Sequence, residues 1–314
     1  MLTAHCFPVA RSYRLAAAQA LFVTFLWSTS WVLIKWGLEE IPPLTFAGLR
    51  YTLAFLLLLP WVLRRGGSRM SIRRLTRRQV TALVVLGLVN YSLTQGSQFV
   101  ALELLPAVTF SLMLSFTPIA VALFSGLTLG EPLRRAQWLG LVIFLVGALL
   151  YFGVSLPAGM GFGLAVGLLS VAANVATSIL GRAVNRSGEL SALLVTAVSM
   201  GVGSVALLAV GVGVQGLPPL SARAWLIIGW LAAVNTALAF TLWNHTLRTL
   251  PAVVSSVINN TMLIQIAILA WIFLGERPGP RELAGLALAA LGAIVVQVGG
   301  RIRKAQKEET LISV

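Results

Sequence analysis

An all-α integral membrane protein of about ten transmembrane helices, arranged as two inverted five-helix repeats, is the fold class this sequence predicts. Three observations predict it. Of 314 residues, 58% are hydrophobic and only 10% are charged, against about 25% charged in a soluble domain. The apolar residues gather into about ten runs, each near the roughly 20 residues that a helix needs to cross a bilayer. The second half of the chain repeats motifs of the first at a constant spacing.

Breaks at charges, prolines and glycine clusters place the runs at 15–36, 43–63, 79–99, 105–128, 135–154, 161–181, 190–213, 222–245, 250–273 and 281–299. The mean hydropathy of +0.92 fits this reading. The first run is too long for a cleaved signal, and Lys35, Glu39 and Glu40 follow it without a small-x-small site. An even number of crossings returns both ends to one side. With the N-terminus inside, 18 of the 23 Lys and Arg residues fall inside; Lys35, Arg50, Arg223, Arg277 and Arg281 fall outside. That bias predicts a multi-pass protein of the cell membrane with both termini in the cytoplasm.

The net charge of +14 does not point to nucleic acid, because the basic residues lie between apolar runs, densest at Arg64, Arg65, Arg69, Arg73, Arg74, Arg77 and Arg78. The lone Cys6 cannot form an internal disulfide, and no Cys/His cluster has metal-ligand spacing. No GxxxxGK[ST] motif is present, which excludes direct ATP drive within the chain. No cofactor is expected.

The repeat is explicit. Pro106 and Pro251 both stand in Leu-Pro-Ala-Val, and 251 − 106 = 145. Glu131 and Glu276 both follow Leu-Gly, and 276 − 131 = 145. Asn90 and Asn235, Gly140 and Gly285, and Gly147 and Gly292 share that offset. The expected domains are residues 1–154 and 161–299, with 300–314 as a cytoplasmic tail. Five crossings per half is odd, so the second half must be inverted. Inverted repeats recur in secondary transporters, with the substrate near the midplane. Gly130 and Gly275 are expected to close helix ends. Glu131 would then stand at the positive end of the helix that follows, with Pro132 suited to its first turn.

The segments WSTSWVLIKWGLE, PLTFAGLRY and LGEPLRRAQWLGLVIFLVGALL, with their partners in the second half, carry a family resemblance over nearly the whole chain. The chain resembles the EamA-type transporters of the drug/metabolite transporter superfamily. The resemblance implies a ten-span carrier that exports small metabolites, with a cavity lined mainly by spans 1, 3, 4, 6, 8 and 9. It leaves the solute open among amino acids, other small metabolites and drugs.

Polar side chains within spans are costly and usually face the bundle interior. On the first span Thr24, Trp27, Ser28, Trp31 and Lys35 share a face. Trp27 is a candidate for stacking on a solute; interfacial anchoring suits Trp31 and Trp36 better. Arg50 either forms a gate salt bridge with Glu39, Glu40 or Glu103, which is the favoured reading, or binds an oxyanion in bidentate fashion. The third span offers Asn90, Thr94 and Ser97 on one stripe, flanked by Tyr91 and Gln98. The sixth groups Ser170, Asn174, Thr177 and Ser178, with Gly167 and Gly181 suggesting close helix packing.

The eighth span carries Asn235, Trp243, Asn244 and His245; on a straight helix Asn244 would oppose Asn235. The ninth clusters Ser255, Ser256, Asn259 and Asn260. The matched positions in the fourth are Phe110, Ser111, Leu114 and Ser115, so two unlike walls would suit an asymmetric solute. An interhelical amide network is the competing reading. Pro118 is a candidate kink for gating. His245 is a candidate coupling residue, because its reference pKa lies near 6.5.

The expected function is secondary-active or facilitative export of a small-molecule solute by alternating access. An intramembrane enzyme would need converging acid, base or metal groups, and the chain has no Asp at all. A non-transporting scaffold is the other alternative. The expected partners are the solute and the lipid bilayer, with no nucleic acid; a homodimer stays open.

Overall fold

The structure is a computed structural model that describes residues 7–64, 75–117, 119–121, 124, 135–152, 159–185, 190, 192–246, 250 and 252–312. Among these residues the chain forms ten helices and no strand. They are α1 (Phe7–Leu38), α2 (Pro43–Arg64), α3 (Arg77–Leu104), α4 (Ala107–Ser115) and α5 (Arg135–Phe152). The rest are α6 (Gly161–Asn185), α7 (Ala192–Gln215), α8 (Ala222–Thr246), α9 (Ala252–Leu274) and α10 (Pro280–Ile312). These follow the ten apolar runs closely, and α10 continues as helix well past residue 299.

Local chemistry sets the boundaries. Thr76 and Gln79 form a reciprocal capping box at the start of α3. Ser221 caps α8 by accepting from the Ala224 amide at 3.1 Å. Pro43 and Pro280 occupy first-turn positions, where a missing N–H costs nothing. Gly275 closes α9 with φ +69, as the sequence led us to expect.

Five of the described helices (α1, α2, α3, α6 and α7) are long and apolar enough to cross a membrane, and α4, α5, α8 and α9 contain shorter apolar stretches. Large apolar side chains face outward: Leu149 is 68% exposed, Phe162 71% and Leu226 74%. Such a surface suits lipid rather than water. The protein is an all-α membrane protein.

Contacts divide the chain into two compact units. One holds α1 up to Thr29, α4, α5, α8 from Ala239, α9 and α10. The other holds α1 from Ser30, α2, α3, α6, α7 and α8 up to Leu238. The units therefore do not coincide with the sequence halves, because helices of one half pair with helices of the other.

In the first unit, α5 and α10 pack antiparallel through glycines. A Cβ on Gly140 would lie 2.7 Å from the Val296 nitrogen, and one on Gly285 would lie 2.5 Å from the Tyr151 nitrogen. Gly147 abuts Ala289, and Gly292 abuts Phe144. These four glycines are the pairs related by the 145-residue offset. A second core cluster joins Ala16 and Ala20 to Leu250, Ile258 and Trp243.

The second unit repeats the device with α2 and α7. Gly48 would meet the Leu208 backbone at 2.5 Å, and Gly211 the Thr45 nitrogen at 2.5 Å. Leu83, Leu86 and Val195 form its core beside Leu180 and Val184. Gly181 does not act as expected: a Cβ there meets nothing within 4 Å. Among the described residues, that side of α6 is open.

Gly147→Val and Gly292→Val force α5 away from α10 and are each expected to cost about 1–3 kcal/mol, as overpacked sites do. Gly181→Ala is expected to be neutral or stabilising by up to about 1 kcal/mol. Thermal unfolding of the detergent-purified variants measures all three.

Candidate functional site

In the first unit the ring of Trp27 on α1 meets that of Trp243 on α8, with centroids 5.2 Å apart at 51°. Both are part-buried. At the next residue of α1, the Ser28 hydroxyl donates to Gln265 Oε1 at 2.9 Å, and Gln265 Nε2 donates to Thr261 Oγ1 at 3.1 Å and Thr24 Oγ1 at 3.3 Å. Gln265 thus ties α9 to α1. The sequence reading missed it, although its counterpart in the first half, Ala120 (265 − 145 = 120), is apolar and the contrast was visible.

Other candidates of this unit stand apart. Ser115 donates to Leu112 O of its own helix at 2.6 Å. Asn259 and His245 are exposed. Pro118 lies outside the described residues, as do the side chains of Ser256, Asn260 and Asn244.

The second Leu-Gly-Glu motif does not serve the helix that follows it. Glu276 does not serve the start of α10; there the Glu282 carboxylate accepts from the Gly279 amide at 2.6 Å. Glu276 instead reaches the start of α4, accepting from the Ala107 amide at 2.6 Å and the Val108 amide at 3.0 Å. A carboxylate is well suited to that position, where unpaired N–H groups and the helix dipole are both positive. The motif of one half therefore caps the Leu-Pro-Ala-Val helix of the other. Glu131 lies outside the described residues.

In the second unit α3 and α8 each widen into a π-helical turn, at Leu88–Thr94 and Ala233–Leu238. The two turns begin 145 residues apart, since 233 − 88 = 145. Each is served by a threonine hydroxyl donating to the carbonyl five residues back: Thr94 to Val89 and Thr236 to Leu231, both at 2.8 Å. A membrane offers no water to such carbonyls, so side-chain donors must satisfy them. Short π turns are frequent at functional sites. The stripe expected along α3 assumed a regular helix, and the π turn changes its register. Tyr91, Thr94 and Ser97 are buried, Asn90 and Gln98 part-buried. Thr94 pairs with Thr177 of α6 at 3.1 Å.

Arg50 is 5% exposed, and its Nε donates to Thr236 Oγ1 at 3.3 Å. Its guanidinium lies 5.1 Å from the Tyr51 ring centroid and 5.9 Å from that of Phe99. The expected salt bridge to a glutamate is not formed. Glu39 pairs with Arg223 at 3.8 Å. Glu40 accepts from the Ser221 amide at 2.5 Å and hydroxyl at 2.7 Å, and Glu103 is exposed. Position is the reason: Arg50 lies seven residues into α2, about 10 Å along the axis at 1.5 Å per residue, whereas Glu39 and Glu40 stand in the connection before it. Tyr51 donates to Gln95 Oε1 at 2.5 Å and meets the Tyr91 ring at 5.7 Å. Tyr91 and Thr236 are themselves repeat partners (236 − 91 = 145). The Arg50–Tyr51 pair thus bridges the two π turns.

Asn235, the repeat partner of Asn90, is buried and donates to Ser30 Oγ at 2.9 Å. Asn174 is part-buried and donates to Ser170 O of its own helix at 3.0 Å. At the end of this unit a cavity of about 300 Å³ is lined by Trp36, Glu39, Glu40, Arg223, Ala224 and Ile227, with Gly37. Hydrogen bonds from Ser221, first its amide and then its hydroxyl, hold the Glu40 carboxyl below its usual range.

Compared with known proteins, the chain matches the EamA-like transporter family over residues 14–153 and again over 161–298. The chain belongs to this family. As an EamA-like protein it is similar to an uncharacterised transporter, YvbV, of Bacillus subtilis, at 28% identity over 90% of this chain and 92% of that one. It is also similar to the uncharacterised inner membrane transporter YedA of Escherichia coli, at 25% identity over 89% and 88%. A third relative, the S-adenosylmethionine/S-adenosylhomocysteine transporter of Chlamydia trachomatis, is 28% identical over 87% and 86%. A solved crystal structure superimposes with TM-score 0.64 over 92% of this chain and 98% of that one; at 21% identity it shows the fold alone. This EamA-like chain is a membrane transporter, and the enzyme reading is set aside.

Removing the Glu276 carboxylate leaves two N–H groups at the start of α4 without an acceptor. Glu276→Ala is expected to cost about 1–3 kcal/mol, the usual loss for stranded buried donors. Glu276→Gln should recover part of it, because the amide oxygen still accepts without the charge. Unfolding of purified variants, followed by intrinsic fluorescence, reads both.

Proposed function

We propose that this protein is a secondary-active or facilitative carrier that exports a small metabolite across the cell membrane by alternating access, with both termini cytoplasmic. The observation that carries this reading is the family match across both halves. The arginine and lysine bias supports the orientation. Paired π turns at repeat-related positions supply two places where helices depart from regular geometry, as broken helices do in other carriers with inverted repeats.

The proposed solute is an amino-acid-like metabolite carrying a flat ring or an apolar group. Trp27 and Trp243 present the aromatic surface for it. A relative named for S-adenosylmethionine and S-adenosylhomocysteine, similar over most of its length, supports that class.

The test is counterflow in proteoliposomes loaded with unlabelled S-adenosylmethionine, S-adenosylhomocysteine or single amino acids, with the same solute labelled outside. A carrier accumulates label transiently through exchange. Trp27→Ala and Trp243→Ala are each expected to lower that rate at least about tenfold, as loss of an aromatic hot spot does; Trp243→Ala also removes packing from the Ala16–Leu250 cluster and lowers thermal stability, so Trp243→Phe, which keeps a ring there, separates the two effects. Absence of exchange for every solute would reject the carrier reading.

A further inference from the structure

The guanidinium of Arg50 sits deep in its unit with most of its hydrogen-bonding capacity unspent. An arginine side chain has five N–H donors and cannot be neutralised in a protein. The Nε–H is used on Thr236, whose own hydrogen goes to Leu231 O. Among the described residues neither terminal amino group has an acceptor, and no carboxylate pairs with the charge. The rings of Tyr51 and Phe99 flank the cation; their faces attract it but accept no fork-shaped pair of hydrogen bonds.

Of the glutamates on neighbouring segments, Glu103 is exposed and the other two are committed elsewhere. Glu39 faces Arg223, and Glu40 holds Ser221. The chain contains no Asp. A buried charge without a protein counter-ion is expensive to keep, and a guanidinium is shaped to take a planar oxyanion through two parallel bonds. The pair also stands where both π turns converge: Thr236 belongs to one, and Tyr91, against Tyr51, to the other.

We propose that Arg50 is a binding site for the oxyanion of a small solute, a carboxylate or a phosphate, held bidentately by its two terminal amino groups. The assignment deepens the transport reading and rests on it only for what the solute is, because binding is measurable without transport. The site adds a substrate class: solutes that keep a carboxylate or phosphate bind, and their decarboxylated or dephosphorylated counterparts do not. Tyr51 is a positioning residue, fixed by its bond to Gln95.

The experiment is thermal unfolding of the full chain in maltoside detergent, read by tryptophan fluorescence. The probes are the protein amino acids, benzoate, inorganic phosphate, the matched amines and benzyl alcohol, and phosphatidylglycerol. Carboxylates or phosphate should raise the melting temperature of the wild type while amines and benzyl alcohol do not. Arg50→Gln should weaken that binding at least about tenfold, and Arg50→Lys should restore it only in part, because the fork is lost. Thr236→Asp places a carboxylate beside the guanidinium but removes the hydroxyl that serves Leu231 O, so its stability is expected to fall; folded Thr236→Asp should lose the response, and Arg50→Lys, which keeps the buried charge, decides the matter if Arg50→Gln does not fold. The proposal is overturned if no soluble oxyanion shifts the wild type, or if Arg50→Gln and Thr236→Asp respond as it does. A response to phosphatidylglycerol alone assigns the site to a lipid headgroup and overturns the solute reading. Binding without counterflow rejects transport and leaves the site standing.

Discussion

Helices in lipid gain little by burying apolar surface against each other, because the lipid tails are equally apolar. Their association depends on close backbone approach. The α5–α10 contact meets that constraint with Gly140, Gly147, Gly285 and Gly292, each placed where a side chain would collide with the facing backbone. Because these are repeat partners, the contact has an internal two-fold character, and its antiparallel sense is what inversion of the second half requires. The Glu276 cap on α4 works within the same unit and again joins the two halves. Strength here comes from exchange between repeats, which is why the compact units cut across the halves.

The same solvent explains the second unit. A π turn frees backbone carbonyls that only the protein can satisfy, and in both turns a threonine hydroxyl does so. One of these, on Thr236, also accepts from Arg50. Backbone irregularity and buried charge are therefore held by one side chain. A cation within a span costs roughly 2.5–3.5 kcal/mol by insertion scales, and a site retained at such a cost points to function.

Much of the fold was legible in the sequence. Helix boundaries followed apolar runs and punctuating Pro, Gly, Ser and Thr, and the repeat offset paired the four glycines of the α5–α10 contact without showing that they meet. The π turns were not legible, because residues 88–94 and 233–238 have ordinary helical composition and the widening is visible only in hydrogen bonding. That omission put Asn90 on the stripe with the buried Thr94 and Ser97, where the structure also buries Tyr91 and leaves Asn90 part-buried. The site was read in part. Trp27 and Trp243 were both singled out, but their contact joins residues 216 positions apart (243 − 27 = 216), beyond any local pattern. Arg50 was identified as costly, yet its partner was assigned by charge to a glutamate, when depth along α2 gave it a threonine. The corner role read for Glu131 does not carry over to its partner Glu276, which tertiary packing delivers to the start of α4.

The account stands or falls on the inversion of the two halves. Ala136 and Arg281 are repeat partners (281 − 136 = 145), both exposed in the first turns of α5 and α10. In a Cys6→Ser background, Ala136→Cys and Arg281→Cys can each be labelled with an impermeant maleimide in right-side-out and everted membrane vesicles. The two positions should react from opposite faces of the membrane. Labelling of both from the same face would mean that the two halves run in the same sense.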